Sequence, residues 1–135
     1  MLFLSKLEEL YKNPKICVRR SKIHRWGVFA IEDIKEREIL EEAPYFVLTK
    51  EEIDNVPTCG VYSYWLEDTK SLVGMGFAGL YNHSFEANVD YQVDKISEVI
   101  RHYAKRDITK GEELLLNYGS ENGCFKSNTD QGCLN

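Results

Sequence analysis

The sequence predicts one mostly β domain. Two observations predict it. Short runs rich in Val, Ile, Leu, Tyr and Phe recur between turns marked by Gly and Asn, and helical spacing is confined to short stretches. A chain of 135 residues is the length of one domain and can bury a core without covalent staples. Its net charge of −5 argues against a nucleic-acid binder and suits a basic partner, such as a lysine-rich peptide. The cysteines at 17, 59, 124 and 133 form no C-x-x-C pair, so neither a zinc ribbon nor a redox pair is indicated. With no secretory signal, they read as free thiols of a reducing compartment. Met1-Leu2-Phe3-Leu4 is too short for a signal core, and no run approaches a membrane span. The expectation is a soluble intracellular protein.

Taken in order, Phe3, Leu7, Leu10 and Tyr11 sit at helical spacing and predict a short helix over 2–11, stopped by Asn13-Pro14. Ile16-Cys17-Val18 is a short strand. Gly27 opens a second strand, Trp26 to Ala30, and lets the backbone pass close to a neighbour or a ligand. Trp26 is a core plug or a stacking face, the core plug being the commoner case. A charged turn over 31–37 feeds a strand from Glu38 to Leu48, in which Pro44 suggests an edge or a break. Thr49-Lys50-Glu51-Glu52 has the form of a capping box and starts a helical turn that ends by Val56-Pro57. Val61 to Leu66 is β-prone, with Tyr62 and Tyr64 on one face. Asn88 to Val93 and Val99 to Ala104 pair through a turn at 94–97. Gly111 supplies a left-handed position, and Leu114-Leu115-Leu116 delivers Asn117-Tyr118-Gly119. The polar residues that follow form a tail.

The most unusual stretch is Gly79-Leu80-Tyr81-Asn82-His83-Ser84, with Asn88 just beyond. An apolar run turns abruptly into three residues rich in donors and acceptors. If buried, such a cluster must be hydrogen-bonded throughout. It is therefore a structural polar knot or a ligand site.

Three segments, in order, resemble the SET domain of lysine methyltransferases. They are Trp26-Gly27-Val28-Phe29-Ala30, then Asn82-His83-Ser84 with Asn88, then Glu113 to Gly119, which follows a typical Arg106-Asp107-Ile108-Thr109-Lys110-Gly111-Glu112 link. The resemblance covers roughly residues 15–120, leaving an N-terminal helical segment over 1–14 and a polar tail over 121–135. The compact size looks like the minimal members of bacteria and large viruses. The resemblance implies a fold of several small twisted β-sheets around a C-terminal pseudoknot, with short helices. It also implies methyl transfer from S-adenosylmethionine to the side-chain amine of a protein lysine, in a histone or other basic protein. Localisation would then be cytoplasmic, or nuclear if the substrate is chromatin. No direct contact with nucleic acid or membrane is expected, and a second copy of the chain is a candidate partner.

By the same resemblance, Arg25, Trp26 and Gly27 contact the cofactor largely through backbone groups, and Asn82 and His83 bond its amino-acid and adenine ends. Tyr118 and Tyr62 are the catalytic tyrosines, Tyr64 and Leu116 line the substrate channel, and Phe125 closes over the cofactor. The residue types suit the chemistry. A lysine amine of pKa about 10.4 must lose a proton before it attacks. A narrow apolar channel beside a cationic sulfonium lowers that pKa by desolvation and like-charge repulsion, and alignment does much of the rest.

This chain departs from the family at several positions. Arg25 stands where relatives have glycine, which suggests a slightly displaced loop. Phe85 replaces a zinc-binding cysteine, and Cys124 and Cys133 lack the cluster spacing, so no metal is expected. Leu116 replaces a Tyr or Phe, and its lack of a hydroxyl implies transfer of more than one methyl. An inactive SET-like module that binds a protein or cofactor is the alternative reading, and methylation of a small amine is another.

Overall fold

The computed structural model describes residues 6–58 and 62–118. These form β1 (Ile16–Arg20), β2 (Trp26–Ala30), β3 (Ile39–Thr49), α1 (Lys50–Asn55), β4 (Ser63–Glu67), β5 (Lys70–Gly74), β6 (Asn82–His83), β7 (Val89–Asp94), β8 (Val99–Ala104) and β9 (Glu113–Leu116). Two sheets result, in the orders β1-β2-β9-β6 and β4-β5-β3-β8-β7.

The larger sheet is built around β3, which changes partner midway. Its first half pairs with β8 as far as Pro44 and Val99, and its second half pairs with β5 from Tyr45 and Gly74 onward. Pro44 therefore marks neither an edge nor a break. Its missing N–H falls where the ladder changes sides, which is why a proline is tolerated inside an eleven-residue strand. Sharing one strand between two ladders curls the sheet. Its two edge strands, β4 and β7, meet where the rings of Tyr64 and Tyr91 touch edge-on, with centroids 4.8 Å apart.

In the smaller sheet, β9 lies antiparallel to β2 and parallel to β6. The pairs Asn82–Leu115 and His83–Leu116 join two segments about thirty residues apart in the chain. Val28, Ala30, Leu40, Ala43, Leu72, Ile100, Ala104 and Leu114 fill the core with no exposed surface. Burying each of the larger side chains contributes roughly 1.5–3 kcal/mol.

The capping box is present: Thr49 Oγ1 accepts from the Glu52 N–H, and Glu52 Oε1 accepts from the Thr49 N–H. Gly111 takes φ +95°, as the turn requires. The expected N-terminal helix is overturned over its described part. Residues 6–11 are not helical, and Lys12 bridges β3 at Glu41. Tyr11 exchanges hydrogen bonds with Glu42, its carbonyl accepting from the Glu42 N–H at 2.8 Å and its N–H reaching the carboxylate at 3.1 Å. A ten-residue helix is marginal unless its apolar stripe is buried, and here Leu7, Leu10 and Tyr11 stay exposed. At Tyr11 the backbone bonds to β3 instead. The strand expected from Val61 starts at Ser63, with Tyr62 in the preceding turn and Val61 outside the described residues.

Candidate active site

The polar stretch after β6 works first as a structural knot. Asn88 is buried, and its side chain forms the link that a strand neighbour would make. Nδ2 donates to the Glu113 carbonyl at 2.9 Å, and Oδ1 accepts the Leu115 N–H at 2.7 Å. The Asn88 N–H meets the Leu115 carbonyl at 3.2 Å, and the Ser84 N–H meets that of Leu116 at 3.0 Å. β9 is thereby held on the side opposite β2.

Asn82 faces the other way and clamps the loop before β2. Its Nδ2 approaches the carbonyls of His24 and Trp26, both at 3.1 Å, and Glu113 Oε2 at 2.8 Å. Glu113 Oε1 in turn accepts from the Ser21 hydroxyl at 2.9 Å. The Glu113 carboxylate lies directly over the Gly27 Cα, so any side chain there would collide with it. The close approach expected at Gly27 is thus made by a carboxylate of the same chain. Arg25 takes φ +43°, in the left-handed region. The backbone there takes the conformation a glycine would favour. Trp26 is 43% exposed with the Arg20 guanidinium 4.2 Å from its ring, so it is a surface face and not a core plug.

Two cavities converge beside this loop. A cleft of about 380 Å³ is bordered by Arg25, Trp26, Gly76, Leu80 and Asn82. A narrower cavity of about 30 Å³ is walled by Tyr64, Tyr81, Tyr91, Ala78 and Leu116. Tyr62, Gly79 and Tyr118 border both. The Tyr118 hydroxyl donates to the Tyr81 carbonyl at 2.5 Å, and its N–H donates to His83 Nδ1 at 3.0 Å. Burial pushes the Tyr118 phenol up to about 12, with Tyr62 and Glu113 adding to the shift, so it stays protonated at neutral pH.

A family model for the SET domain matches residues 25–119. The chain belongs to the SET-domain family. Its sequence is 30% identical over 96 residues to a Schizosaccharomyces pombe protein named histone-lysine N-methyltransferase, H3 lysine-37 specific. That match takes in 69% of this chain and 65% of the relative, so the chain spans just under two thirds of the relative's length. Among solved structures, a candidate histone methyltransferase of Plasmodium falciparum superposes with a TM-score of 0.66 at 32% identity, covering 79% of this chain and 95% of that one. A humanized mutant of the Chaetomium thermophilum Polycomb Repressive Complex 2, bound to an inhibitor, superposes at 0.64 with 24% identity, over 80% of this chain and 15% of that one. The autoinhibited ctPRC2 bound to S-adenosylmethionine superposes at 0.63 with 23% identity, over the same shares. At those identities the last two speak to fold alone.

Within this SET domain, the structure brings Arg25, Trp26, Asn82, Tyr62 and Tyr118 to the cleft, and Tyr62, Tyr64, Leu116 and Tyr118 to the narrow cavity. Gly27, expected to contact the cofactor, borders neither cavity; its Cα faces the Glu113 carboxylate instead. His83 borders neither cavity. It is partly buried between Phe85 and Tyr118, with ring centroids 4.5 and 5.2 Å away, and burial lowers its pKa. Phe125, Gly119, Cys59, Cys124 and Cys133 lie outside the described residues.

Tyr62 and Tyr64 differ more than their shared strand face suggests. Tyr62 is 41% exposed at the meeting of the cavities, whereas Tyr64 is buried in the wall. The sequence reading missed Tyr91, whose buried hydroxyl has no hydrogen-bond partner among the described residues. It also missed Glu41 and His102, both buried behind the wall. One signal was available. Strand alternation puts Tyr91 on the face of Val89, and His102 on the face of Ile100 and Ala104.

Proposed function

We propose that this chain is an S-adenosylmethionine-dependent protein-lysine N-methyltransferase, acting on a lysine of a histone or another basic protein. The observation that carries the reading is the junction of a narrow tyrosine-walled cavity with a broad cleft at Tyr118 and Tyr62. A side chain entering from one side and a cofactor held on the other meet only there. Membership of the family and the named S. pombe relative support the same chemistry.

The cleft residues fit the cofactor. About 380 Å³ is within the usual range for a small-molecule site. Trp26 offers a face for a purine ring, Arg25 a cation for a carboxylate, and the loop held by Asn82 offers backbone groups. When bound, S-adenosylmethionine supplies an electrophilic methyl group on a sulfonium. The chain itself does the rest. Tyr64, Tyr81, Tyr91 and Leu116 exclude water from the amine and disfavour its charged form. Tyr118 remains a phenol and so acts as a hydrogen-bonding group that orients the reactants, not as the base. Leu116 offers no hydroxyl to the amine, but the Tyr91 hydroxyl does, so the restraint on repeated methylation rests with Tyr91. His83 Nδ1 accepts the Tyr118 backbone N–H and so helps hold Tyr118 in place.

The test is transfer of label from S-adenosylmethionine to histones, to lysine peptides and to a free-amine control, read by mass spectrometry. Label on protein lysine supports the reading. Cofactor binding without transfer to any of them, or to the protein itself, would instead favour a binding module. Label on the free amine alone would favour a small-molecule enzyme.

A further inference from the structure

The wall of the narrow cavity rests on one side chain that does not itself border the cavity. His102, on β8, is wholly buried. Its ring stacks on Tyr81 with centroids 4.6 Å apart and an interplanar angle of 24°. It also meets Tyr64 edge-on at 5.8 Å and Tyr91 at 6.3 Å. All three tyrosines border the cavity. The Tyr81 carbonyl, in turn, receives the Tyr118 hydroxyl. A histidine therefore underlies all three buried tyrosines of the wall and, through Tyr81, the residue at the cavity junction.

Hydrogen-bond accounting fixes how it does so. The Tyr64 hydroxyl donates to the Ala78 carbonyl at 2.6 Å. A hydroxyl has one hydrogen, and a carbonyl can only accept. The 2.9 Å contact between Tyr64 Oη and His102 Nε2 must then be a bond from an Nε2–H to the phenol oxygen. Burial holds the ring neutral, with a pKa lowered to about 3, so its other nitrogen carries a lone pair. That Nδ1 makes no side-chain hydrogen bond among the described residues, and Glu41 Oε1 lies 3.9 Å away. Glu41 is itself occupied by the Tyr81 hydroxyl at 3.1 Å and the Phe77 N–H at 2.7 Å. Burial raises its pKa. The Tyr64 bond therefore decides for a proton on Nε2, against the pull of Glu41, whose main chain acts to raise the ring's pKa.

We propose that His102 is a positioning residue of the amine channel: as the neutral Nε2–H tautomer it pins the Tyr64 hydroxyl toward Ala78, making Tyr64 a wall that cannot donate to the substrate and leaving the hydroxyl of Tyr91 free to meet it. The proposal rests on reading the cavity as that channel. It assigns different jobs to two tyrosines whose rings touch.

Two measurements on the full chain test it. Long-range nitrogen–proton NMR of the histidine-labelled protein at pH 7 reads the tautomer directly and needs no activity. The Nε2–H form is expected for His102; the Nδ1–H form or a charged ring overturns the proposal. The second compares His102→Gln, which keeps an N–H near Nε2, with His102→Leu, which does not. His102→Leu is expected to raise the KM for the protein substrate about tenfold, with cofactor affinity by calorimetry unchanged, while His102→Gln stays within about threefold of wild type. Equal substrate KM in all three proteins, or equal losses in the two variants, overturns it. Should His102→Leu fail to fold, Tyr64→Phe takes its place, removing the acceptor of the same bond, and is expected to show the same rise in KM. If the wild-type chain methylates no protein, the functional reading fails while the tautomer measurement still decides the role of His102.

Discussion

At the scale of single residues, Tyr118 is the most exacting test. Its hydroxyl satisfies the Tyr81 carbonyl, so a structural role is available to it. Losing one such bond costs about 0.5–1.5 kcal/mol. The proposed catalytic role predicts more for Tyr118→Phe: near-normal melting and cofactor affinity, with turnover lower by at least a hundredfold, since each ~1.4 kcal/mol lost from the transition state is tenfold in rate. A folded variant with wild-type turnover would falsify the assignment. Tyr91→Phe removes the cavity-wall hydroxyl that has no hydrogen-bond partner among the described residues. The variant is expected to carry substrate further toward di- and trimethyl-lysine at long incubation, and an unchanged methyl distribution by mass spectrometry counts against the role. Arg25 holds φ +43°, where side chains are disfavoured. Arg25→Gly is expected to stabilise the fold by about 0.5–1 kcal/mol, the relief of strain exceeding the added chain entropy. Denaturant midpoints at constant slope measure it, and a loss of stability would mean the arginine side chain contributes more than its backbone costs.

At the scale of elements, the arrangement depends on β9 lying between β2 and β6. β6 is only two residues long and contributes little ladder of its own. Asn88 makes up the deficit by bonding the Glu113 carbonyl and the Leu115 N–H with one side chain. Asn88→Ala strands two buried backbone groups, each costing about 1–3 kcal/mol when unsatisfied. The expected loss is about 2–4 kcal/mol, together with faster hydrogen exchange at Leu115. Asn88→Asp is expected to recover part of it, because a carboxylate still accepts the Leu115 N–H while losing the donor to Glu113. A neutral Asn88→Ala substitution would show that the β2 pairing alone holds β9.

At the scale of the whole molecule, the curl of the larger sheet encloses a histidine and a carboxylate, and this makes stability depend on pH. His102 takes up a proton near its ordinary value of 6.5 when unfolded, but only near about 3 when folded. Between those values the unfolded chain binds more protons, so stability falls as pH falls. Its contribution is complete above 6.5 and lost toward 3. Glu41 acts in the opposite sense. Burial raises its pKa, so the folded state keeps a proton that the unfolded one has released, and its contribution falls as pH rises above the ordinary 4.5. Comparing wild type with His102→Gln isolates the histidine. Wild type is expected to lose about 1.5 kcal/mol more than the variant between pH 6.5 and 5, at about 1.4 kcal/mol per pH unit for one proton. Parallel stability curves would show that the ring is not held neutral. Methyl transfer is expected to speed up with rising pH as the substrate amine loses its proton, with no downturn from Tyr118 below about pH 12.

The sequence by itself determined what depends on neighbours in the chain. Alternating apolar residues placed β7 and β8, the Thr49–Glu52 box started α1, and Gly111 took its left-handed turn. The motif residues were legible too, because Trp26-Gly27, Asn82-His83 and the run to Tyr118 carry unusual combinations over short spans. Tertiary structure alone decided what depends on which strands become neighbours. Residues 6–11 have helical spacing but are not helical, their apolar residues stay exposed, and the segment joins β3 at Tyr11, whose backbone bonds Glu42. Pro44 reads as a break, yet falls where β3 changes partners. Tyr91, Glu41 and His102 come from three different strands, and no spacing in the sequence relates them. They meet because β3, β8 and β7 lie side by side with Glu41 opposite His102 and His102 opposite Tyr91, while the curl of the sheet adds Tyr64 from the far edge; register and curl are properties of long-range ladder pairing, not of any one segment.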